Sequence, residues 1–394
     1  SCSLPRHHLM PRTFPRQFCT RCIYDDRVPG IVFDNEGVCN YCHQVNQLIE
    51  TYGTGSLRGM AKLTDIIKDV KREGKDKKYD CLIGVSGGTD SSYMVHLVRE
   101  WGLRPLAVHY DNTWNTAVAT LNIHNVLRHY DVDLHTHVVS NVEADDIFRA
   151  FFRAGVPEIE ASTDLGYAWV LRSVAHQYGV RYIFEGHSFV EEGITPLANN
   201  YFDGRYIREI HRAFGSHPLS TYPLMTLGRF LRSSVADGVK FIRPLWYVDY
   251  SKKDARKHLE EHCGWRYYGG HHLENRMTAF YHTVYLPQKF GADLRNNTLA
   301  AQVRTGQVTR ESAIAEYLTP VSPDPELVNY FKRRLKIPDE EYTEIMARPG
   351  RRWTEFPTYK REFELLRPLF YVLAKTNRVP MSFYMKYCKK TGND

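Results

Sequence analysis

The residues best suited to chemistry are four cysteines and one serine-glycine loop. Cys19-x2-Cys22 and Cys39-x2-Cys42 are two thiol pairs separated by sixteen residues. A two-residue gap lets a tight turn aim both sulfurs at one point, so the four together form a ligand set for a tetrahedral zinc ion. Four sulfurs close the shell and leave no position for water or substrate, so the expected zinc is structural. The loop is Ser86-Gly87-Gly88-Thr89-Asp90-Ser91-Ser92. Its paired glycines let backbone N–H groups approach an anion, and Ser86, Ser91 and Ser92 add hydroxyl donors. Asp90 is a carboxylate suited to a magnesium ion carried by bound phosphates. No Gly-Lys-Ser/Thr closes the loop, so it is not a Walker A motif.

The loop needs a rigid mount. The apolar run Cys81 to Val85 precedes it as a buried strand, and Met94, Val95, Leu97, Val98 and Trp101 follow at helical spacing. A strand, a glycine turn and a helix N-terminus point unpaired N–H groups and the helix dipole at one spot. Further strands are expected at Leu106–Tyr110, ending in Asp111, up to Val138-Val139, and at Tyr182–Phe184, ending in Glu185-Gly186-His187. Helices alternate with them, which predicts an α/β fold with a doubly wound parallel sheet. Ligands of such sheets sit at the carboxyl ends of the strands, where Ser86, Asp111 and His187 would converge.

The composition is that of an ordinary globular chain: 394 residues, 43% hydrophobic and 25% charged. Disorder and disulfide miniproteins are excluded. No apolar run is long enough to span a membrane. The first residues, up to Phe18, lack the apolar stretch of a secretory signal, and Met10 is a candidate start, so a cytoplasmic protein is expected. The formal charge of +7 falls in residues 331–394, with fifteen Lys/Arg against eight Asp/Glu. Four regions are expected: an extension (1–18), a zinc ribbon (19–50), the nucleotide-binding domain (51–262) and a helical, basic C-terminal region (263–394).

The strand, SGGTDS loop and helix at 80–101 closely resemble the PP-loop of the ATP pyrophosphatases, which cleave ATP to AMP and pyrophosphate to activate an oxygen. That resemblance implies ATP at Ser86–Ser92 and Asp111. Residues 243–256, RPLWYVDYSKKDAR, resemble a later element of that superfamily in which a lysine, here Lys252, opens a helix and reaches the phosphates. Residues 267–295 gather His271, His272, Glu274 and Arg276 around an apolar helix, and 305–317 reads as a helix start with Thr309 as N-cap. With the CTRC and CNYC pairs and the ending MSFYMKYCKK, these segments resemble the N-acetyl sugar amidotransferases of bacterial surface-polysaccharide synthesis, from Cys19 to Lys390.

This second resemblance implies conversion of a sugar acetamido group to acetamidino through an O-adenylated intermediate. It also implies ammonia from a separate glutaminase resembling that of histidine biosynthesis, with a cyclase-like barrel partner. Asp90, Lys252, His187, His271, His272 and Glu274 are the catalytic candidates, and Glu192 and Arg276 the substrate contacts. The chain departs from the family after Asp293, reading Leu294-Arg295-Asn296-Asn297 where many members have Lys-Arg and then His, so no phosphate role passes to Leu294 or Asn297. No unpaired cysteine has the Gly-x-Cys-x-Gly setting of a class I glutaminase. The rival is a tRNA thiolation enzyme, which also joins a zinc ribbon to SGGxDS. Its need for a reactive cysteine or an iron–sulfur site near the loop conflicts with Cys81 in a buried strand, and nucleic acid is not the expected partner. The basic C-terminal segment, Arg333, Arg334, Arg351 and Arg352 included, fits an acidic partner subunit at least as well as RNA.

Overall fold

Cys81–Gly84 (β1) is buried at every position, as a central parallel strand covered on both faces must be. The computed structural model describes residues 16–194, 200–269 and 273–389. Four more strands, Pro105–Asp111 (β2), Asp133–Val138 (β3), Tyr182–Phe184 (β4) and Lys240–Ile242 (β5), complete a sheet of order β3-β2-β1-β4-β5. Every pairing is parallel. The polar, partly exposed β3 lies at an edge, where fewer side chains need cover. The chain runs outward from β1 through β2 to β3 and then returns to the other side of β1 with β4. The crevice between the carboxyl ends of β1 and β4 is therefore the switch point at which such sheets bind ligands.

Alternation along β1 sends Leu82 to one face and Cys81 and Ile83 to the other. After Asn40–Tyr52 (α1), the helices Leu57–Glu73 (α2), Thr89–Glu100 (α3), Ala117–Tyr130 (α4) and, much later, Lys252–Cys263 contribute to the second face, with Leu63, Val95, Val126 and Leu259 in contact with the sheet core. Asn141–Ala154 (α5), Ala161–Gln177 (α6) and Gly204–Phe214 (α7) cover the first face, followed by Leu227–Val235 (α8). Complete burial of a Leu or Phe side chain in these layers contributes about 1.5–3 kcal/mol. Lys252–Cys263 (α9) starts where the sequence places it, with Ser251 as N-cap accepting from the Asp254 N–H.

The described C-terminal region is helical. Arg276–Phe280 (α10) widens into a π-helical stretch, Tyr281–Phe290, that accommodates Pro287. Arg295–Arg304 (α11), Arg310–Leu318 (α12) and Pro325–Leu335 (α13) follow, and Thr309 caps α12 as expected. Phe363, Phe370 and Tyr387 of the last turns pack with Phe230 of α8. Ile31–Phe33 forms a single antiparallel bridge, Phe33 with Cys39, while the Ile31 N–H donates to the Val28 carbonyl and the Val32 N–H to Asn40 Oδ1. Among the described residues no helix is long and apolar enough to cross a membrane.

The basic tail needs one correction. Arg334 is turned inward: it pairs with Asp145 at 3.0 Å, lies 4.1 Å over the Trp114 ring and donates to the Thr113 carbonyl. Arg351 pairs with Glu355 at 2.7 Å and lies over Phe356. Arg334 thus braces the fold, whereas Arg351 keeps 39% of its side chain exposed in a pair one helical turn apart.

Candidate active site

The loop after β1 is shaped by its own side chains and by three outside contacts. Ser86 Oγ accepts from the Gly88 N–H and lies 3.3 Å from Ser91 Oγ. Gly87 has φ +84°, and a Cβ there would collide with the Ala119 carbonyl of α4, so glycine is required twice over. The Gly87 carbonyl is fixed by the Trp265 indole N–H at 3.0 Å and by Asn122 at 3.4 Å. Below it, buried His109 donates from Nδ1 to the Val85 carbonyl (2.9 Å) while Nε2 accepts from Asn115 (3.1 Å). Gly88 caps α3 without a side-chain acceptor, and the Tyr268 hydroxyl takes a hydrogen bond from the Thr89 backbone at the start of the helix.

Asp90, in the first turn of α3, faces two groups from the start of α9. The Tyr250 hydroxyl donates to Oδ1, and the Lys252 ammonium stands 2.5 Å from Oδ2. Burial alone would raise the Asp90 carboxyl, but Lys252 and the hydrogen bonds around it hold it below the ordinary value. Burial opposes the charge on Lys252 as well, yet Asp90 and then Glu192 carry its ammonium above the usual value. The pair is thus fully ionised near neutrality.

Glu192 is the bridge of the site. One oxygen lies 3.5 Å from Lys252 and the other 3.6 Å from His187 Nε2. The Trp246 indole N–H points at His187 Nδ1 (3.2 Å), which places the ring proton on Nε2, toward Glu192. This geometry makes Glu192 a partner of the chain's own cation and imidazole.

Glu274 enters from the far side of the cradle. Its Oε1 and the Tyr268 hydroxyl each come within 3.3 Å of the point where a Gly88 Cβ would stand. The segment is zipped to the loop after β2: Thr116 N–H donates to the Glu274 carbonyl at 2.9 Å, and Asn275 donates to the side chains of Asn112 and Asn115. Arg276 is turned away, with its guanidinium over Tyr330 and one N–H on the Asn115 carbonyl. Asp111 ends β2 and accepts from the Thr113 N–H at 2.7 Å, which closes a turn in which Thr113 has φ +63°. His271 and His272 lie outside the described residues.

Of the expected residues, the structure therefore gathers Ser86 to Ser92, Lys252, His187, Glu192 and Glu274 around one cradle. Tyr250, Tyr268, Trp246, Trp265 and His109 belong to the same construction and were not singled out from sequence. Tyr250 and Trp246 share the 243–256 run with Lys252, Tyr268 opens the 267–295 segment and His109 lies in the expected strand Leu106–Tyr110, whereas Trp265 had no local signal. Asn297, denied a phosphate role above, faces the ribbon instead, with Oδ1 2.8 Å from the Tyr24 hydroxyl.

The four cysteines meet as one cluster. All are buried, and their sulfurs lie within 4.8 Å of one another. Cys19 and Cys42 Sγ are 3.9 Å apart, and Cys22 and Cys39 Sγ 3.8 Å. Tetrahedral zinc at about 2.3 Å from each sulfur calls for sulfur separations of about 3.8 Å, so the set fits zinc. N–H groups of Cys22 and Cys39 point at Cys19 Sγ, and Arg304 Nε at Cys42 Sγ (3.3 Å), as thiolate ligands require. The remaining described cysteines, Cys81, Cys263 and Cys388, are buried. Burial pushes the Cys81 thiol well up, which disfavours the thiolate that a sulfur-transfer nucleophile needs.

Comparison with known proteins adds the following. An uncharacterized protein of Methanocaldococcus jannaschii is 24% identical over 322 residues, covering 81% of this chain and 99% of that protein. Among solved structures, NMN synthetase from Francisella tularensis aligns over 72% of this chain and 93% of its own, with 14% identity and a TM-score of 0.31. The U34-tRNA thiolase NcsA from Methanococcus maripaludis aligns over 83% of this chain and 100% of its own, with 12% identity and a TM-score of 0.31. Residues 274–369 match the family model described as LPS biosynthesis protein WbpG-like, C-terminal domain. The matched segment begins at Glu274, beside the cradle, and runs through α13 into the basic tail, and it is similar to the C-terminal domain of WbpG-like proteins.

Proposed function

We propose that the chain is an ATP-dependent amidotransferase that converts the acetamido group of a surface-polysaccharide sugar to acetamidino, releasing AMP and pyrophosphate. The observation that carries this reading is the ionised Asp90 and Lys252 pair set at the N-terminus of α3, at the switch point of the sheet. The WbpG-like match of residues 274–369 supports the sugar assignment.

An amide carbonyl is a poor electrophile, and its oxygen has to become a leaving group before a nitrogen can replace it. The amide oxygen attacks the α-phosphorus of ATP, and the bond to the β-phosphate bridging oxygen breaks. Pyrophosphate is received by the N–H groups and hydroxyls of Ser86–Ser92, with Lys252 balancing its charge. Ammonia then adds to the amide carbon, a proton is lost, and AMP departs with the former amide oxygen. Glu274 is assigned as the base for that proton, and His187, whose Nδ1 accepts from Trp246 and whose Nε2 proton faces Glu192, is assigned to orient that carboxylate. A magnesium ion held by Asp90 would supply further charge neutralisation on the phosphates. Zinc on Cys19, Cys22, Cys39 and Cys42 would be structural, with no open coordination position. Ammonia is assigned to a separate glutaminase with its barrel partner, since no cysteine among the described residues has the setting of a glutaminase nucleophile. Incubation with ATP, magnesium, ammonium and acetamido sugars, with AMP and sugar mass read together, tests the assignment. Thiolation of tRNA without pyrophosphate release on acetamido sugars would replace it with the rival reading.

A further inference from the structure

We infer that the four-cysteine ribbon positions the Glu192 carboxylate, and that Tyr24 and Gln307 are the positioning residues through which it does so. The inference rests on the proposed role of Asp90 and Lys252, and extends it to a part of the chain remote in sequence. The segment leaving β4 passes under the cradle, with Gly186 against the Asp90 carbonyl, and delivers Glu192 between Lys252 and His187. Its far end is gripped from the ribbon side. The Tyr24 hydroxyl, two residues beyond Cys22, donates to the Ile194 carbonyl at 2.8 Å. Gly193 has φ +80°, and a Cβ on it would stand 2.7 Å from the Asn297 carbonyl, so its backbone lies directly on the first turn of α11. Glu191 is 5% exposed, and both its carboxylate oxygens accept from Gln307 Nε2, at 3.0 and 2.9 Å.

The same helix is tied to the cysteines. Arg304, at the end of α11, donates to Cys42 Sγ and lies over the Tyr24 ring at 5.2 Å. Arg310, at the start of α12, donates to the carbonyls of Cys19 (2.9 Å) and Cys22 (3.1 Å). One continuous set of bonds thus runs from the sulfur cluster through Tyr24, Arg304 and Gln307 to residues 191–194. Lys252 has two acidic partners, and a cation drawn to Asp90 would compete with the ammonium for that carboxylate. Glu192 is then the group that keeps the ammonium aimed across the cradle, and a displacement of about 1 Å at such a site costs up to about a hundredfold in rate.

The test compares Tyr24→Phe/Gln307→Ala, Glu192→Gln and the combination of all three. Zinc per chain, ATP–magnesium affinity, amide hydrogen exchange over 188–194 and pyrophosphate release are measured. The expected result for Tyr24→Phe/Gln307→Ala is unchanged zinc, unchanged ATP affinity, exchange about tenfold faster in that segment and pyrophosphate release about tenfold lower. The triple variant should be no slower than Glu192→Gln, because both changes act through one carboxylate. Unchanged exchange, or losses that multiply in the triple variant, overturns the inference. Should the double variant lose zinc, Tyr24→Phe alone, which keeps the ring, is read by the same criteria. Exchange and zinc content need no sugar, so they stand or fall separately from the proposed reaction.

Discussion

Removal of the ammonium at the cradle has a consequence that can be worked out in sign and size. Lys252→Met keeps the apolar stem and leaves Asp90 without its cation, with hydrogen bonds from its neighbours, the Tyr250 hydroxyl among them. The two side chains are 19% and 15% exposed, so their pair stands between surface and interior limits. An exposed pair contributes about 0–1 kcal/mol and breaking a fully buried one costs about 3–5 kcal/mol, which puts this loss at about 2–3 kcal/mol. Spread over the unfolding entropy of 394 residues, that is a fall in Tm of about 2–4 °C at neutral pH. In the parent, the folded pKa of Asp90 is depressed, so its contribution is present above the unfolded value and is lost as pH falls through the folded one. The raised Lys252 ammonium stays protonated throughout the acidic and neutral range. In Lys252→Met the burial that raises Asp90 has lost the charge that chiefly opposed it and is countered by hydrogen bonds alone, so the ionised carboxyl is destabilising at pH 7 and is relieved by protonation on acidification. The Tm gap between parent and variant should therefore be widest near pH 7 and narrow toward about pH 4.5. Calorimetric scans across that range provide the assay, and a gap independent of pH would refute the reasoning. The Asp90→Asn/Lys252→Met double variant should recover most of the lost Tm, because no uncompensated charge remains.

Other perturbations separate the parts of the site. Asp90→Ala should abolish AMP formation while leaving the far-UV spectrum of the folded chain; retained ATP cleavage would remove Asp90 from the reaction. Gly87→Ala should lose nucleotide binding measured by calorimetry, since the added methyl must displace either the loop or the Ala119 carbonyl, and unaltered affinity would show that the loop is not the cradle. Cys39→Ser should lower zinc content and Tm together; lost activity with full zinc and unchanged Tm would argue against a structural metal.

The parts of the site carried by short, contiguous patterns were legible from sequence. Cys81 to Trp101 is strand, loop and helix within one stretch, and Ser251-Lys252 carries its own N-cap, so both predictions needed no partner elsewhere in the chain. Bonds between distant elements left no such trace. Glu192 is defined by Lys252 and His187, Tyr268 by its approach to Gly88, and Tyr24 by Ile194, 170 residues away. Charge without exposure misled in the opposite sense: Arg334 counts toward a basic tail, yet its partner Asp145 and the Trp114 ring take it into the fold.

The central claim is that the cradle activates an amide oxygen for replacement by nitrogen. Purified chain supplied with ATP, magnesium, ammonium and a panel of acetamido sugars should form AMP and pyrophosphate in equal amounts, with an equal amount of sugar showing the small mass decrease of an O-to-NH exchange. AMP release with every sugar mass unchanged, or sulfur incorporation into tRNA in place of any sugar product, would contradict it.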